Sequence, residues 1–155
     1  MIYFVYLLII AILTSIDQIA KQVIDENLLL NQPIVLIKNF FSLTYVRNYG
    51  AGFSILQNAT LFLLILSAVA SIYLFYCLIK ADKKDLYSKI SYLLIISGAI
   101  GNFIDRLMYG YVIDFLDFKI FSYDYPVFNI ADSYITIGCF LLIFKVIREA
   151  KHAHS

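Results

Sequence analysis

Gly101-Asn102-Phe103-Ile104-Asp105-Arg106 closes an apolar stretch that begins at Ile90, and Asn129-Ile130-Ala131-Asp132 opens another that runs to Ile147. Ionisable side chains are disfavoured inside a membrane span, so one found there marks a functional position unless packing accounts for it. Between the two cassettes lies Val112-Ile113-Asp114-Phe115, a third carboxylate in apolar company. Together they set the reading of the fold: helices that cross a membrane and carry acids near their ends.

Composition agrees. The 155 residues are 62% apolar and 15% charged, with a mean hydropathy of +0.83, far from an ordinary soluble domain and short enough for one domain over 1–155. A net charge of +1, without a basic stripe or a glycine-rich phosphate loop, excludes nucleic acid as a partner. Cys77 and Cys139 sit in separate apolar runs and read as inert buried thiols. His152 and His154 fall beyond the last apolar run, so no Ser-His or Cys-His pair is expected within the membrane.

Working outward from the cassettes, four stretches can span a bilayer as helices: about 2–24, 59–79, 87–108 and 129–147. The third has an uncharged core only from Ile90 to Ile104 and borrows residues at both ends, with Lys89 snorkelling inward. The first has no basic n-region and continues into Asp17-Gln18-Ile19-Ala20-Lys21, so it reads as a retained span rather than a cleaved leader. Lys80, Lys83, Lys84, Lys89, Lys145, Arg148 and Lys151 are seven of the twelve basic residues and mark the cytoplasmic side. Both termini are then cytoplasmic, and Asp17, Lys21, Asp105, Arg106 and Asp132 all fall toward the outer face. The two segments between spans on that face, about 25–58 and 107–128, hold Asn48 and Asp114. Their alternating or β-branched runs, Pro33 to Ile37, Phe41 to Tyr45 and Tyr111 to Phe118, predict a small sheet at the membrane surface. The fold expected is an all-α membrane protein, a four-helix bundle with a small extracytoplasmic β-sheet.

Each cassette has a plain explanation. Asp17 and Lys21 are four apart with the acid first, the favourable order for an intrahelical ion pair, and read as structural support. Asn129 with Asp132 three residues later, after Pro126, reads as a helix cap. Asp105 and Arg106 can mark the end of a span, and Asp117 and Asp124 read as solvated loop residues. Two features escape these explanations: Asp114, and Asn102, which sits beside Gly98 and Gly101, small residues that let helices approach closely.

Taken in order, Asp17-Gln18-Ile19-Ala20-Lys21, Arg47-Asn48-Tyr49-Gly50-Ala51-Gly52-Phe53-Ser54, Gly98 to Arg106, Val112-Ile113-Asp114-Phe115 and Phe128 to Asp132 closely resemble the lipoprotein signal peptidase (signal peptidase II) family over nearly the whole chain. Gly52 stands where the family pattern has a second Ala, and Ser97 where its Gly-Gly pair begins; both are small-for-small changes.

The resemblance implies an intramembrane aspartyl endopeptidase of the bacterial cytoplasmic membrane. Its substrates are diacylglyceryl-modified prolipoproteins, cut just before the modified cysteine, with membrane lipids as surroundings. By carry-over, Asp114 and Asp132 are the catalytic dyad, Asn48, Asn102, Arg106 and Asn129 line the site, and Asp17, Lys21, Asp105 and Gly50 support it. No cofactor and no metal are expected, since the dyad supplies its own base, and a monomer suffices because the site lies within four helices. The rivals are a small membrane transporter or proton-relay protein, and a metal-dependent head-group transferase; the first wants inverted repeats and the second a denser acidic cluster on the cytoplasmic side.

Overall fold

The computed structural model describes residues 2–50, 59–121 and 123–153. Ala51-Gly52-Phe53-Ser54 of the external motif lie outside the described residues, as do His154 and the side chain of His152. The apolar stretches form four helices, α1 (Ile2–Asn27), α2 (Thr60–Lys80), α3 (Leu86–Tyr109) and α4 (Ile130–Ala153). Even the 21 residues of α2 measure about 31 Å at the α-helical rise, enough to cross hydrocarbon. All four are long and apolar enough to span, and the chain is a multi-pass membrane protein.

Helix α3 packs against each of the other three. Its buried face explains why: Ser91, Ser97, Gly98, Ala99, Gly101 and Asn102 are small or polar, so neighbouring backbones come close. A Cβ on Gly98 would collide with the Ala131 carbonyl of α4, and one on Gly138 of α4 would lie 2.8 Å from the Ser91 carbonyl oxygen. The outward faces carry exposed apolar side chains such as Phe4, Leu61, Ile72 and Phe140. On α1 the buried stripe is Tyr6, Ile10, Thr14, Asp17, Lys21 and Ile24, spaced by three or four as one helix face requires. Tyr6 and Ile10 join Leu78, Leu93 and Ile96 in a core at one end of the bundle. At the other end Ile24 packs with Tyr45, Ile113 and Phe115 of the sheet.

That sheet is antiparallel, in the order β1 (Pro33–Ile37), β2 (Phe41–Asn48), β3 (Val112–Ile120), β4 (Tyr123–Asp124). The β2–β3 pairing ties the segment after α1 to the segment after α3, with Asn48 opposite Val112. Side chains alternate along β3, so Ile113 and Phe115 enter the core while Asp114 points to the opposite face. Helix α3 ends one residue before Gly110, whose φ of 78° is the left-handed conformation that lets the chain turn straight into β3.

Several sequence expectations change here. Asp117 lies within β3, half-buried, and accepts a 2.5 Å hydrogen bond from the Thr44 hydroxyl, so it is no loop residue. Asp124 does lie at the surface, paired with Lys119 at 3.0 Å. Cys139 faces outward from α4 and Cys77 is half-buried, so neither is a fully buried thiol. Lys145 lies within α4, where its ammonium binds Asp85 at 2.5 Å and the Ser88 hydroxyl at 2.8 Å, clamping the first turn of α3.

The α3–α4 seam yields a stability prediction. Gly138→Ala should lower unfolding stability by about 1–3 kcal/mol, because its methyl meets backbone that cannot retreat. Cys139→Ala, next to it but on the exposed face, should stay within about 0.5 kcal/mol. Thermal unfolding of both variants in one detergent checks the contrast.

Candidate active site

The first support is a buried charge cluster between α1 and α3. The Lys21 ammonium is 2.8 Å from Asp17 Oδ2, 2.9 Å from Asp105 Oδ2 and 3.0 Å from Asn102 Oδ1, and all four side chains are buried. An ammonium has three protons, and each finds an acceptor. The intrahelical pair expected from the sequence is present, and it is half of a larger arrangement. Asp105 does not mark an interface: it is 1% exposed, holds Lys21 and accepts from the Ile113 backbone N–H at 3.1 Å. The other oxygen of Asp17 accepts from Ala131 N–H at 2.8 Å, one of the first-turn donors that a helix leaves without an internal partner. Two acids thus fasten the beginnings of α4 and β3 to α1 and α3.

Sequence reasoning gave no role to Gln18. Its amide donates to Asp105 Oδ1 at 2.8 Å and to the Gly101 carbonyl at 3.1 Å, bridging α1 to α3 beside the charges. The usable signal was a glutamine three residues before Lys21 in an otherwise apolar helix. A crevice of about 520 Å³ opens beside this cluster, lined by Gln18, Gln22, Asp25 and Glu26 of α1, Asp105 and Tyr109 of α3, and Ile113 among others.

The second element is the start of α4. Asn129 Oδ1 accepts from Asp132 N–H at 2.8 Å, and Asp132 Oδ2 accepts from Asn129 N–H at 3.3 Å, the reciprocal pattern of a capping box. The cap reading is therefore right. The Asn129 amide has a second task, because its NH2 donates to Asp114 Oδ1 at 2.7 Å and to Asn102 Oδ1 at 3.1 Å. Asn102 in turn donates to Asp132 Oδ1 at 2.7 Å. Asn129 thus gives its NH2 to one carboxylate and Asn102 to the other, and the two asparagines are bonded to each other.

The third element comes from the segment after α1. Asn48 at the end of β2 donates to Asp114 Oδ2 at 2.9 Å, and its own oxygen accepts from Gly50 N–H at 2.9 Å. Gly50 O accepts from Arg106 Nη2 at 2.9 Å, and Arg106 Nη1 reaches the Asn102 carbonyl at 3.3 Å. A closed loop of contacts results: Asn102, Asn129, Asp114, Asn48, Gly50, Arg106 and back to Asn102. Of the ten residues singled out from the sequence, six form this loop, Asp132 and Lys21 bond directly to it, and Asp17 and Asp105 join it through Lys21.

Electrostatics follow from the enclosure. Asp114 is 1% exposed, and burial first, then the nearby charge of Asp132, pushes its carboxyl up to about 7. Asp132 is more open than Asp114. Two carboxyls that feel each other in a low-dielectric site resist ionising together, the condition under which a pair shares one proton. Among the described residues no cluster of three or more His, Cys, Asp or Glu is arranged to hold a metal ion.

Residues 9–148 match the family model described as Signal peptidase (SPase) II. A lipoprotein signal peptidase of Caldanaerobacter subterraneus subsp. tengcongensis is 43% identical over 143 residues, covering 90% of this chain and 96% of that one. One from Streptococcus thermophilus is 46% identical over 143 residues, covering 92% of each. A solved structure of a bacterial membrane enzyme superposes with a TM-score of 0.89 at 36% identity, covering 96% of this chain and 90% of that one. With most of its length matched at this level, and with its fold shared, the chain belongs to the signal peptidase II family.

Proposed function

We propose that this chain is an aspartic endopeptidase that removes the signal peptide of bacterial prolipoproteins, cutting just before the diacylglyceryl-modified cysteine. The observation that carries the reading is the convergence of Asp114 from β3 and Asp132 from α4 on one pair of bonded asparagines. Membership of a peptidase family removes the ground for the transporter and head-group transferase readings.

In this mechanism the dyad holds one proton. The ionised carboxylate takes a proton from water as the water oxygen bonds to the scissile carbonyl carbon, and the protonated partner delivers its proton to the carbonyl oxygen. The resulting tetrahedral species collapses when the carboxyl that took the proton from water gives it to the amide nitrogen, the other carboxylate takes a proton back from a hydroxyl, and the C–N bond breaks, which returns the dyad to one proton. Donors aimed in advance at the developing charge lower the barrier, a role for which Asn48, Asn102, Asn129 and the Arg106 guanidinium are available. Asp17, Lys21, Asp105 and Gly50 hold those donors in place.

The lysine and arginine asymmetry supports a topology with both termini cytoplasmic and the sheet outside the membrane. The scissile bond of a precursor whose acyl chains lie in the outer leaflet then meets the dyad near the outer interface. One copy of the chain supplies every group named here, which supports a monomer, with membrane lipids around the helices.

In a cysteine-free background, a thiol at Asn39, exposed at the turn between β1 and β2, should react with an impermeant reagent added outside intact cells. A thiol at Lys84 should not; the reverse pattern would put the acids on the cytoplasmic side.

Purified protein in detergent should cleave a diacylglyceryl-modified prolipoprotein peptide, and EDTA should leave the rate unchanged. Metal-dependent restoration after EDTA would overturn the aspartic reading.

Asparagine in place of Asp132 keeps an oxygen that can accept from the Asn129 N–H, so Asp132→Asn should be nearly silent if Asp132 served only in the capping box. In the proposed mechanism, Asp132→Asn and Asp114→Asn each lower cleavage by several orders of magnitude while the fold persists, and the double variant is little worse than either. Substantial cleavage by well-folded Asp114→Asn protein would sink the dyad.

A further inference from the structure

We propose that Lys21 is a positioning residue for the reaction, which acts through Asn102 by holding that amide with its oxygen toward α1 and its NH2 toward Asp132. The proposal rests on the dyad reading above and gives this buried lysine a task beyond tying helices together.

An asparagine amide can turn over with little change of shape, exchanging its donor for its acceptor, so its partners decide which way it sits. Asn102 Oδ1 faces Lys21 Nζ at 3.0 Å, and Asn102 Nδ2 faces Asp132 Oδ1 at 2.7 Å. An ammonium can donate and cannot accept. A turned Asn102 would therefore oppose N–H to N–H⁺ on one side and oxygen to a carboxylate on the other. Lys21 cannot swing away, because its remaining two protons are held by Asp17 and Asp105.

Among the described residues, Asn129 is the other donor to Asn102 Oδ1, and it is a weaker lock. It is uncharged, 3.1 Å away, and its NH2 also serves Asp114 Oδ1 and the Ile113 carbonyl. With Lys21 absent, protonated Asp132 could donate to a turned Asn102. With Lys21 present, Asn102 donates to Asp132 in every state and favours the ionised carboxylate. Lys21 thus keeps one acid of the pair ready to accept a proton from water.

Among the described residues, Asp132 interacts with the charges of Asp17 and Lys21 from α1, Arg106 from α3 and Asp114 from β3; Asp105 of α3 pairs with Lys21, and the Tyr134 phenol of α4 feels Asp17. Asp17, Lys21, Asp105 and Arg106 sum to zero charge. Removing Lys21 by itself would confound orientation with net charge, so the test removes Asp105 as well.

The experiment measures kcat/KM against pH for Lys21→Met, Asp105→Asn protein, for Lys21→Gln, Asp105→Asn protein, and for Asn102→Leu alone and added to the Met pair, with thermal unfolding as the check on folding. Loss of a donor to an ionised group raises the pH at which that group gives up its proton. The acidic limb of the Met pair should therefore move to higher pH, and kcat should fall between about 10- and 100-fold, with KM little changed. Lys21→Gln can still offer an N–H toward Asn102 and should recover part of the loss. Asn102→Leu should show the same displacement, and adding the Met pair to it should cost little more.

An unmoved acidic limb in folded Met-pair protein overturns the proposal, as do Gln and Met pairs of equal activity, or a combined variant much worse than Asn102→Leu. If the Lys21 variants do not fold, folded Asn102→Leu protein decides: a shifted limb supports the proposal and an unmoved one ends it. Active Asp132→Asn protein would remove the dyad reading itself, whereas an unmoved limb beside inactive Asp132→Asn protein removes the role of Lys21 alone.

Discussion

A lysine ammonium in a bilayer has to have every proton bonded within the protein, because no water is at hand to do it. Lys21 meets this demand with Asp17 from its own helix and with Asp105 and Asn102 from α3. Asp17 gives its other oxygen to Ala131 N–H of α4, while Asp105 shares its Lys21-bound oxygen with Ile113 N–H of β3 and gives the other to the Gln18 amide. Satisfying one charge thereby fixes where three helices and the central strand begin or cross. Breaking such a group by deleting one partner costs about 3–5 kcal/mol, since the charge left behind is still buried. Among the described residues no buried side-chain nitrogen or oxygen lacks a hydrogen-bond partner, so the arrangement carries no loose polar atom into the apolar surroundings.

The same economy governs the start of α4. Asn129 and Asp132 cap the helix reciprocally, and the first turn of a helix favours negative charge through its aligned peptide dipoles. A cap is a rigid device, and here the rigid device is built from groups that also face Asp114 and Asn102. Structural and chemical explanations of Asp132 therefore do not compete: the cap bonds hold one oxygen, and the Asn102 donor holds the other. Asp114 gains its enclosure differently, by alternation along β3, which turns its neighbours Ile113 and Phe115 into the core and leaves the carboxylate on the opposite face.

Where the sequence reading went astray, a contact between distant segments was responsible. Asp105 looked like a charge at the end of a span because nothing local reveals that Lys21 lies across from it. Asp117 reads as solvated for the same reason, since its partner Thr44 comes from elsewhere in the chain. Gln18 was passed over because a single amide in an apolar helix has no spacing pattern to give it away. Cys139 reads as buried because a helix apolar on all sides does not announce which side faces outward.

The sequence by itself determined the four helices, three of the four strands and the short set of polar residues worth watching. Those follow from local physics: segment length against bilayer thickness, period-two alternation, and the high cost of polar groups in hydrocarbon. It also held the family resemblance, since the order of the cassettes along the chain is a property of sequence alone. Only the tertiary structure decided that the ten residues form one connected network, that Asn102 and Asn129 bond to each other, and that each gives an NH2 to a different carboxylate. Those facts depend on β2 pairing with β3 and on α3 meeting α4 at Gly98, Gly101 and Gly138, contacts between segments far apart in the chain, which no local pattern of residues encodes.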